Sequence, residues 1–266
     1  MTLTTLLILM CCGVVTNIMS ALFGIGGGVL MVPILHTLFP EFSLQMVAAT
    51  SLTTVMGTAC INLISFYKQK FSVQIKPLLL WSVGMIAGVQ LGFELSFCFP
   101  NFLIITIFIG TLLVLAWRSF LTKKGKNQIA STANEKLKGV AVCFLGGGIA
   151  GITGIGGGSI MAPLLSLLPS IKPAKIAVYS NYMMLIGGLG NLYGYLSKTP
   201  PFYLEEAWQI GYVNFSVVAV VVFCSFLTSF ISIKLKGYLP EVLIQKGLGV
   251  ILLIIAAYMA ALQLWR

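Results

Sequence analysis

A glycine-rich stretch occurs twice in the chain, as Gly24-Ile-Gly-Gly-Gly-Val-Leu-Met-Val-Pro-Ile-Leu35 and as Gly154-Ile-Gly-Gly-Gly-Ser-Ile-Met-Ala-Pro-Leu-Leu165. The two copies are identical at 8 of 12 positions and are offset by 130 residues. The same offset pairs Thr50-Ser51 with Ser180-Asn181, so the correspondence continues beyond the glycines. Similarity at one fixed spacing is the signature of a duplicated structural unit. The sequence therefore predicts two copies of one unit.

The residues around these stretches are strongly apolar. Hydrophobic residues make up 58% of the 266-residue chain and charged residues 8%, and the mean hydropathy is +1.02. A soluble domain has about 25% charged residues, and a membrane-spanning helix needs about 20 consecutive apolar residues. We therefore expect an all-α integral membrane protein that crosses the bilayer several times.

Ten apolar segments can be distinguished, five in each half of the chain. They comprise residues 3–23, 29–39, 44–66, 78–97 and 102–121, and then 139–153, 159–168, 175–196, 207–233 and 242–264. The second and the seventh are shorter than a usual membrane span, and each follows a glycine-rich stretch. We expect these two segments to be short, broken helices.

A long hydrophilic segment separates the two halves. It contains Lys123, Lys124, Lys126, Lys136 and Lys138. Lysine and arginine are enriched in the cytoplasmic loops of membrane proteins. We therefore divide the chain into a first membrane repeat at residues 1–121, a cytoplasmic linker at 122–138 and a second membrane repeat at 139–266.

The number of crossings decides how the repeats are related. If all five segments of a repeat cross, the number is odd and the second repeat is inverted relative to the first. This arrangement brings most basic residues to the linker side and leaves Lys198 and Arg266 on the other. In the alternative arrangement the two short segments re-enter the bilayer, and residues such as Lys175 and Lys246 move to the outer side. The charges favour the inverted arrangement.

The glycine-rich stretches are the candidate binding site. A Gly-x-Gly-Gly-Gly run that opens a helix presents backbone N–H groups without obstructing side chains, and the helix dipole adds positive potential. Irregular backbone at membrane depth must be buried in protein or line a cavity, so we expect the runs to meet at an interior anion site. Close helix packing is the alternative role for these glycines. The residues concerned are Gly24, Gly26, Gly27 and Gly28, then Gly154, Gly156, Gly157 and Gly158, with Pro33 and Pro163 as helix-breaking residues.

Hydroxyl and amide side chains near the two runs are candidates to complete the site. They are Thr50 and Ser51 in the first half and Ser159, Ser180 and Asn181 in the second. Such groups donate hydrogen bonds to anion oxygens, but in membrane helices they also bond to backbone carbonyls or to neighbouring helices. Both roles stay open at this point.

Charged residues are nearly absent from the centres of the segments, so neutral donors would hold the anion. Glu94 and His36 are the titratable residues near segment ends that could couple the protein to protons. We expect both to lie at the membrane interface.

No residue pattern indicates catalysis, a metal or a cofactor. The one histidine lies in no HExxH motif or cysteine cluster, and neither glycine run ends in the Lys-Ser/Thr of a P-loop. The basic residues lie in short loops rather than in one stripe, which argues against nucleic acid as a partner. We expect a protein that is not an enzyme, whose partners are a small anion and the lipid bilayer. Thiol chemistry at Cys11, Cys12 or Cys60 is the enzymatic alternative.

Three motifs carry a resemblance to a known family: the paired GIGGG-x-x-M-x-P motifs, Ala-Thr-Ser-Leu at 49–52, and Ile-Gly-Tyr-Val-Asn at 210–214. With its length, its repeat and its basic linker, the sequence resembles the TauE/SafE sulfite exporter family, also called TSUP. The resemblance implies a transporter in the inner membrane for a sulfur-containing anion such as sulfite, thiosulfate or an organosulfonate. In the second half, Tyr179-Ser180-Asn181-Tyr182 departs from the family's Gly-Thr-Ser form, which leaves the identity of the substrate open.

The sequence predicts alternating access, in which one repeat rocks against the other around a central site. A passive anion channel that uses the same donors is the alternative function. The direction of transport, proton coupling and the formation of a homodimer stay open.

Overall fold

The fold is described by a computed structural model that covers residues 3–23, 27–68, 73–121, 134–168, 171, 173–203, 207–238 and 241–265. These residues form ten helices and one two-stranded antiparallel sheet. In chain order the elements are α1 (Leu3–Phe23), α2 (Gly28–Leu38), α3 (Leu44–Lys68), α4 (Ile75–Ser96), α5 (Asn101–Leu121), α6 (Asn134–Thr153), α7 (Gly157–Leu165), α8 (Pro173–Ser197), β1 (Gln209–Ile210), β2 (Val213–Asn214), α9 (Phe215–Tyr238) and α10 (Glu241–Trp265). The expectation of an all-α membrane protein is confirmed.

Among the described residues, five helices are long and apolar enough to cross a membrane: α1, α3, α4, α5 and α10. Helix α3 is central, since 72% of its apolar window is buried, against 22% in α5. Large side chains of α5 such as Val114 and Trp117 are exposed. This pattern is typical of a bundle in which α5 faces lipid and α3 faces protein.

Helices α1 and α9 pack side by side and run in the same direction. The Ser225 hydroxyl donates to the carbonyl of Gly13 over 3.0 Å, and the Asn17 amide donates to the Thr228 hydroxyl over 3.2 Å. Contacts therefore advance along both helices together. A Cβ at Gly13 would lie 2.8 Å from Cβ of Cys224, so the missing side chain allows this close approach.

Helices α4 and α6 repeat this relation between the two halves. A Cβ at Gly84 would lie 2.7 Å from the carbonyl oxygen of Val140, and a Cβ at Gly92 would overlap the carbonyl of Gly148. These contacts also advance along both helices together. The first helix of each half thus packs against the fourth helix of the other half, so the halves are interlocked.

Helices α3 and α8 cross near the centre in opposite directions. Asn62, late in α3, donates to Asn181, early in α8, over 3.3 Å. Further along α8, a Cβ at Gly188 would lie 3.0 Å from Cβ of Met56. The long third helix of each half therefore contacts its counterpart directly.

The end of the bundle where α5 ends and α6 begins is called the linker face. Arg118, near the end of α5, donates to the Ser166 hydroxyl, just after α7, over 3.0 Å. Helix α8 begins a few residues later, and its Tyr179 hydroxyl accepts a hydrogen bond from the backbone N–H of Gln74, before α4. Helices α4, α6 and α8 therefore all start at the linker face.

One apolar segment differs from its predicted form. Residues 207–233 were expected as one membrane segment, but α9 begins only at Phe215, and residues 209–214 form the hairpin of β1 and β2. Gly211 at its tip has a φ of +56°, which a residue with a side chain rarely adopts. Hydropathy does not reveal such a turn because Trp208, Ile210 and Tyr212 are themselves apolar.

Candidate functional site

The first glycine run ends in a left-handed turn that starts α2. Gly27 has a φ of +66° and precedes the helix, and its carbonyl accepts hydrogen bonds from the N–H groups of Leu30 and Met31 at 3.1 and 3.4 Å. A side chain at Gly27 would also collide with Thr16 of α1. Glycine is therefore required here both by conformation and by space. Gly24 and Gly26 lie outside the described residues.

The second run makes a similar turn before α7. Gly154 and Gly156 have φ values of +70° and +80°, and Gly156 precedes the helix that Gly157 begins. The carbonyl of Gly156 accepts a hydrogen bond from the N–H of Ser159 over 3.2 Å. A Cβ at Gly154 would collide with Ala48 of α3, so this turn also lies against the long helix of the other half.

The two turns meet in the interior, at a place that we call the glycine junction: Gly27, Gly28, Ile155 and Gly156. A Cβ at Gly28 would overlap the carbonyl oxygen of Ile155, and a Cβ at Gly156 would lie 3.3 Å from Cα of Gly28. Val55 of α3 covers the junction, since its Cγ2 atom lies 2.8 and 2.9 Å from those two Cβ positions. The described glycines of the two runs therefore meet inside the protein, and their role as an anion site stays a prediction.

From the junction the two short helices run to opposite faces. The hydroxyl groups of Thr37, near the end of α2, and Tyr258, near the end of α10, are 2.9 Å apart, away from the linker face. Helix α7 ends near Arg118, at the linker face. Two helix N-termini, each with a partial positive charge, are thus brought together at the centre of the bundle.

Two predicted serines attach the long helices to this junction. Ser51 of α3 donates to the carbonyl of Gly28 over 3.4 Å, and Ser180 of α8 donates to the carbonyl of Gly158 over 3.3 Å. Both serines are fully buried. Both hydrogen bonds are long and therefore weak, and they place the two hydroxyl groups beside the glycines.

Two of the other predicted polar residues, Thr50 and Asn181, have firm intramolecular partners. The Thr50 hydroxyl accepts from the N–H of Asn214 over 3.1 Å and lies 3.4 Å from the carbonyl of Tyr212. The Asn181 amide donates to the carbonyl of Ala177 over 2.7 Å. In this conformation Thr50 holds the β1–β2 hairpin against α3, and Asn181 is bonded to its own helix.

Thr16 lies against the glycine junction and was not among the residues predicted from the sequence. Its side chain is fully buried, it lies against Gly27, and its hydroxyl oxygen has no hydrogen-bond partner among the described residues. Thr16 and Ser20 are one helical turn apart on α1, just before the glycine run. This i, i+4 spacing of hydroxyl residues was the signal that could have identified it.

The electrostatics of the interior rest on neutral groups. No lysine, arginine, aspartate or glutamate is buried among the residues whose side chains are described. At the hairpin, burial raises the pKa of Tyr212 above its ordinary value, and the nearby Tyr203 adds to this shift. Tyr212 therefore stays neutral at physiological pH, and positive potential comes from the helix N-termini.

Glu94 and His36 lie apart from the glycine junction. Glu94 forms an exposed ion pair with Lys198, whose ammonium group also lies 4.3 Å from the ring centroid of Phe97. His36 is in the last turn of α2 and lines a cavity of about 270 Å³ bordered by α5 and α10. Both residues are therefore near the face opposite the linker.

The two prolines of the repeated motif lie within the short helices. Helix α2 continues for five residues beyond Pro33, to Leu38, and Pro163 is followed by two more residues of α7. A proline removes one N–H donor, which shortens the hydrogen-bond ladder without ending the helix at that residue. The cysteines considered for thiol chemistry are free: Cys12 is buried, and Cys11 and Cys60 are exposed.

Comparison with known proteins identifies relatives over almost the whole chain. The family "Sulfite exporter TauE/SafE" matches residues 9–259. A probable membrane transporter protein of Haemophilus influenzae is 52% identical over 267 residues, which cover 99% of this chain and 98% of the relative.

More distant relatives occur in other bacteria and in archaea. The probable membrane transporter protein MJ0441 of Methanocaldococcus jannaschii is 28% identical and covers 84% of both chains. The probable membrane transporter protein YunE of Bacillus subtilis is 28% identical, covering 67% of this chain and 73% of the relative. The chain is a multi-pass membrane transporter that belongs to the sulfite exporter TauE/SafE family.

Proposed function

We propose that this protein is a secondary transporter that moves a small sulfur-containing anion across the inner membrane by alternating access. Sulfite, thiosulfate and organosulfonates are the substrate candidates that the family resemblance supplies. The observation that carries the proposal is the convergence of the α2 and α7 N-termini at the glycine junction, beside Ser51 and Ser180.

The chemistry of the junction suits an oxyanion. Helix N-termini and glycine N–H groups favour negative charge, and serine hydroxyls donate to oxygen acceptors. Because no cation is buried among the described side chains, the anion would be bound by neutral donors and could be released again at modest cost. A transported substrate requires such reversible binding.

Helix directions support two inverted repeats. Helices α1 to α5 lead the chain to the linker face. From there α6 runs in the direction opposite to α1, and α8 runs in the direction opposite to α3. Helices α1 and α6 are counterparts, as are α4 and α9. The contact of α1 with α9 therefore corresponds to the contact of α6 with α4. Inverted repeats of this kind provide the two equivalent packings that alternating access needs.

The charges support a cytoplasmic linker. Lys76, Arg118, Lys175 and Lys246 lie at helix ends on the linker face, whereas Lys198 on the opposite face is paired with Glu94. Basic residues near short loops mark the cytoplasmic side. The repeat boundaries that we propose are residues 1–121 and 139–266, with the linker between them.

The closed junction supports a transporter more than an open pore. A small cavity beside Val55, between α3, α4 and α8, has about 10 Å³ of space for the centre of a water molecule, which is room for about one water. A sulfonate would need more room than this. Passage therefore requires the helices around the junction to move apart, which is the basis of alternating access.

The test is uptake by purified protein in liposomes, with sulfite, thiosulfate, sulfate, sulfoacetate, taurine and acetate as substrates, with and without a proton gradient. We expect saturable uptake of one sulfur anion, and a response to the gradient would identify protons as the coupling ion. Flux that does not saturate would instead indicate a channel.

Two outcomes would overturn the proposal. The absence of uptake for every anion of the panel would remove the proposed substrate class. Conversion of a sulfur compound that is lost when Cys11, Cys12 and Cys60 are replaced by serine would instead establish an enzyme. Empty liposomes and liposomes with heat-denatured protein serve as controls.

A further inference from the structure

Tyr195 of α8 has a buried hydroxyl group outside the proposed site. The side chain is 1% exposed, and its oxygen has no hydrogen-bond partner among the described residues. Buried hydroxyl groups are nearly always hydrogen-bonded, because an unpaired one loses its contacts with water without compensation. Such an exception in the interior of a transporter calls for an explanation.

The position of this hydroxyl group is fixed by its surroundings. The Tyr195 ring lies edge-on to Phe93 of α4, with centroids 4.6 Å apart. The backbone carbonyl of Tyr195 accepts a hydrogen bond from the N–H of Tyr212 over 2.9 Å, which attaches this part of α8 to the hairpin. The tyrosine is therefore a pre-organised donor, held before any ligand arrives.

Tyr195 lines the small cavity between α3, α4 and α8. The other lining residues are Leu52, Val55, Met85, Val89, Met184, Gly187 and Gly188. Among these lining residues, Tyr195 is the one that carries a hydroxyl group, and the others are apolar or glycine. Val55 lines this cavity and also covers the glycine junction, so one side chain separates the two.

The first half of the chain lacks an equivalent hydroxyl group. Helices α3 and α8 have 25 residues each and begin at Leu44 and Pro173. At this spacing Phe66 of α3 corresponds to Tyr195 of α8. The aromatic ring is repeated, but the hydroxyl group is not, so packing alone does not require it.

We propose that the Tyr195 hydroxyl donates a hydrogen bond to an oxygen of the transported anion, at a position separated from the glycine junction by Val55. This inference rests on the proposed function and adds a specific residue to it. As α3 moves relative to α8 and Val55 leaves the junction, the cavity and the junction join, and the anion bridges the glycines and Tyr195.

The test compares Tyr195→Phe with Tyr193→Phe. Tyr193 lies on the same helix and is 82% exposed, so it controls for the loss of one tyrosine hydroxyl. For Tyr195→Phe we expect KM for anion uptake to rise about tenfold or more, the loss typical of one hydrogen bond to a charged group. Stabilisation of the protein by the anion against heating should weaken in parallel. Tyr193→Phe should behave as the wild type does.

A second measurement does not depend on how the variant folds. With 3-fluorotyrosine incorporated site-specifically, at position 195 alone or, as the control, at position 193 alone, the single fluorine resonance of position 195 should shift on addition of the anion that wild-type liposomes take up. The resonance of Tyr193 should not shift. An unchanged resonance at position 195 would overturn the inference even if the phenylalanine variant were unstable.

The outcomes separate this inference from the proposed function. If the wild type transports a sulfur anion and Tyr195→Phe has the same KM, Tyr195 is not a ligand and the proposed function stands. If the wild type takes up no anion of the panel, both fail together. A rise in KM for Tyr195→Phe alone supports both.

Discussion

Each glycine turn accepts a hydrogen bond from a serine of the following long helix, but the two halves differ in the number of residues between these partners. Ser51 bonds to Gly28 across 23 residues, whereas Ser180 bonds to Gly158 across 22. The connection from short helix to long helix is therefore one residue shorter in the second half. The constant offset of 130 had paired Ser180 with Thr50. In the structure Ser180 instead corresponds to Ser51.

This shift explains a second repeated contact. Tyr179 now corresponds to Thr50, and each accepts a backbone N–H from the residue that precedes a later helix. The N–H of Gln74 before α4 is 2.9 Å from the Tyr179 hydroxyl, and that of Asn214 before α9 is 3.1 Å from the Thr50 hydroxyl. Because the threonine side chain is shorter than the tyrosine side chain, the backbone of the β1–β2 hairpin comes closer to α3 than the backbone at Gln74 comes to α8.

The framework is therefore repeated, while the additional hydroxyl groups are not. Thr16 lies beside the first glycine turn, and the equivalent position in α6 is Gly146. Tyr195 belongs to α8, and its counterpart in α3 is Phe66. The difference teaches that the repeat builds the junction, and that each half then adds its own buried hydroxyl group. If both hydroxyl groups bind the proposed anion, it is held asymmetrically.

The largest effect is expected from filling the junction, with Gly28→Ala and Gly156→Ala as a pair. The first adds a Cβ against the backbone of Ile155, and the second adds one to a residue with a φ of +80°. Overpacking costs about 1–3 kcal/mol, and where this cost falls on the anion-binding conformation uptake should drop by about fivefold to a hundredfold in each single variant. Liposome uptake at matched protein amounts measures this.

Gly110→Ala is the matched control for this pair, since a Cβ at Gly110 of α5 meets no atom within 4 Å. Its uptake should equal that of the wild type. If Gly28→Ala transports normally while remaining folded, the junction is not the site. If only one of the pair loses activity, the two turns are not functionally equivalent.

The next effect concerns stability, through Thr50→Val and Tyr179→Phe. Thr50→Val leaves the N–H of Asn214 buried without its acceptor, which costs about 1–3 kcal/mol of folding free energy. Gln74 is exposed, so water can replace Tyr179 and the second variant should lose less. Thermal unfolding in detergent measures both. Equal losses of folding free energy in the two variants would contradict the burial of the Thr50–Asn214 contact away from water.

Most of the framework could be predicted from the sequence, because it depends on local patterns. Apolar length located the segments, and glycine marked the places where α2 and α7 start, since Gly27 and Gly156 have positive φ angles. The hairpin at residues 209–214 could not be found in this way. Its aromatic residues are apolar, and hydropathy does not separate a buried turn from a buried helix.

The roles of individual side chains were less predictable, because they depend on distant parts of the chain. Thr50 matched the expected donor type, but its partner Asn214 lies 164 residues away. The one-residue shift between the halves could not be seen in the sequence either. At the offset of 130, Thr50-Ser51 aligns with Ser180-Asn181, and both pairs are polar. Tyr195 gave no signal in the sequence, because only the fold shows that its hydroxyl group is buried.

A smaller effect is expected for Thr16→Val, which sharpens the asymmetry between the two turns. Valine keeps the methyl group that lies against Gly27 and replaces the unpartnered hydroxyl group with a second methyl group, so the folding free energy should not fall. If Thr16 donates to the anion, the loss is about 1.5 kcal/mol, the lower end of the range for a hydrogen bond to a charged group, and KM should rise about tenfold. Thr106→Val, at an exposed hydroxyl group of α5, is the control. An unchanged KM would leave the two turns chemically alike.

The smallest effect is expected at the face opposite the linker, from Glu94→Gln. Glu94 is exposed and paired with Lys198, and exposed ion pairs contribute about 0–1 kcal/mol because water and salt screen them. The variant should unfold within a few degrees of the wild type and should keep its uptake rate. If transport responds to a proton gradient, that response should persist as well, because an exposed, ion-paired carboxylate far from the glycine junction is poorly placed to carry the coupled proton. Loss of the gradient response with uptake retained would make Glu94 the coupling residue, and would show that the two faces differ in function as well as in charge.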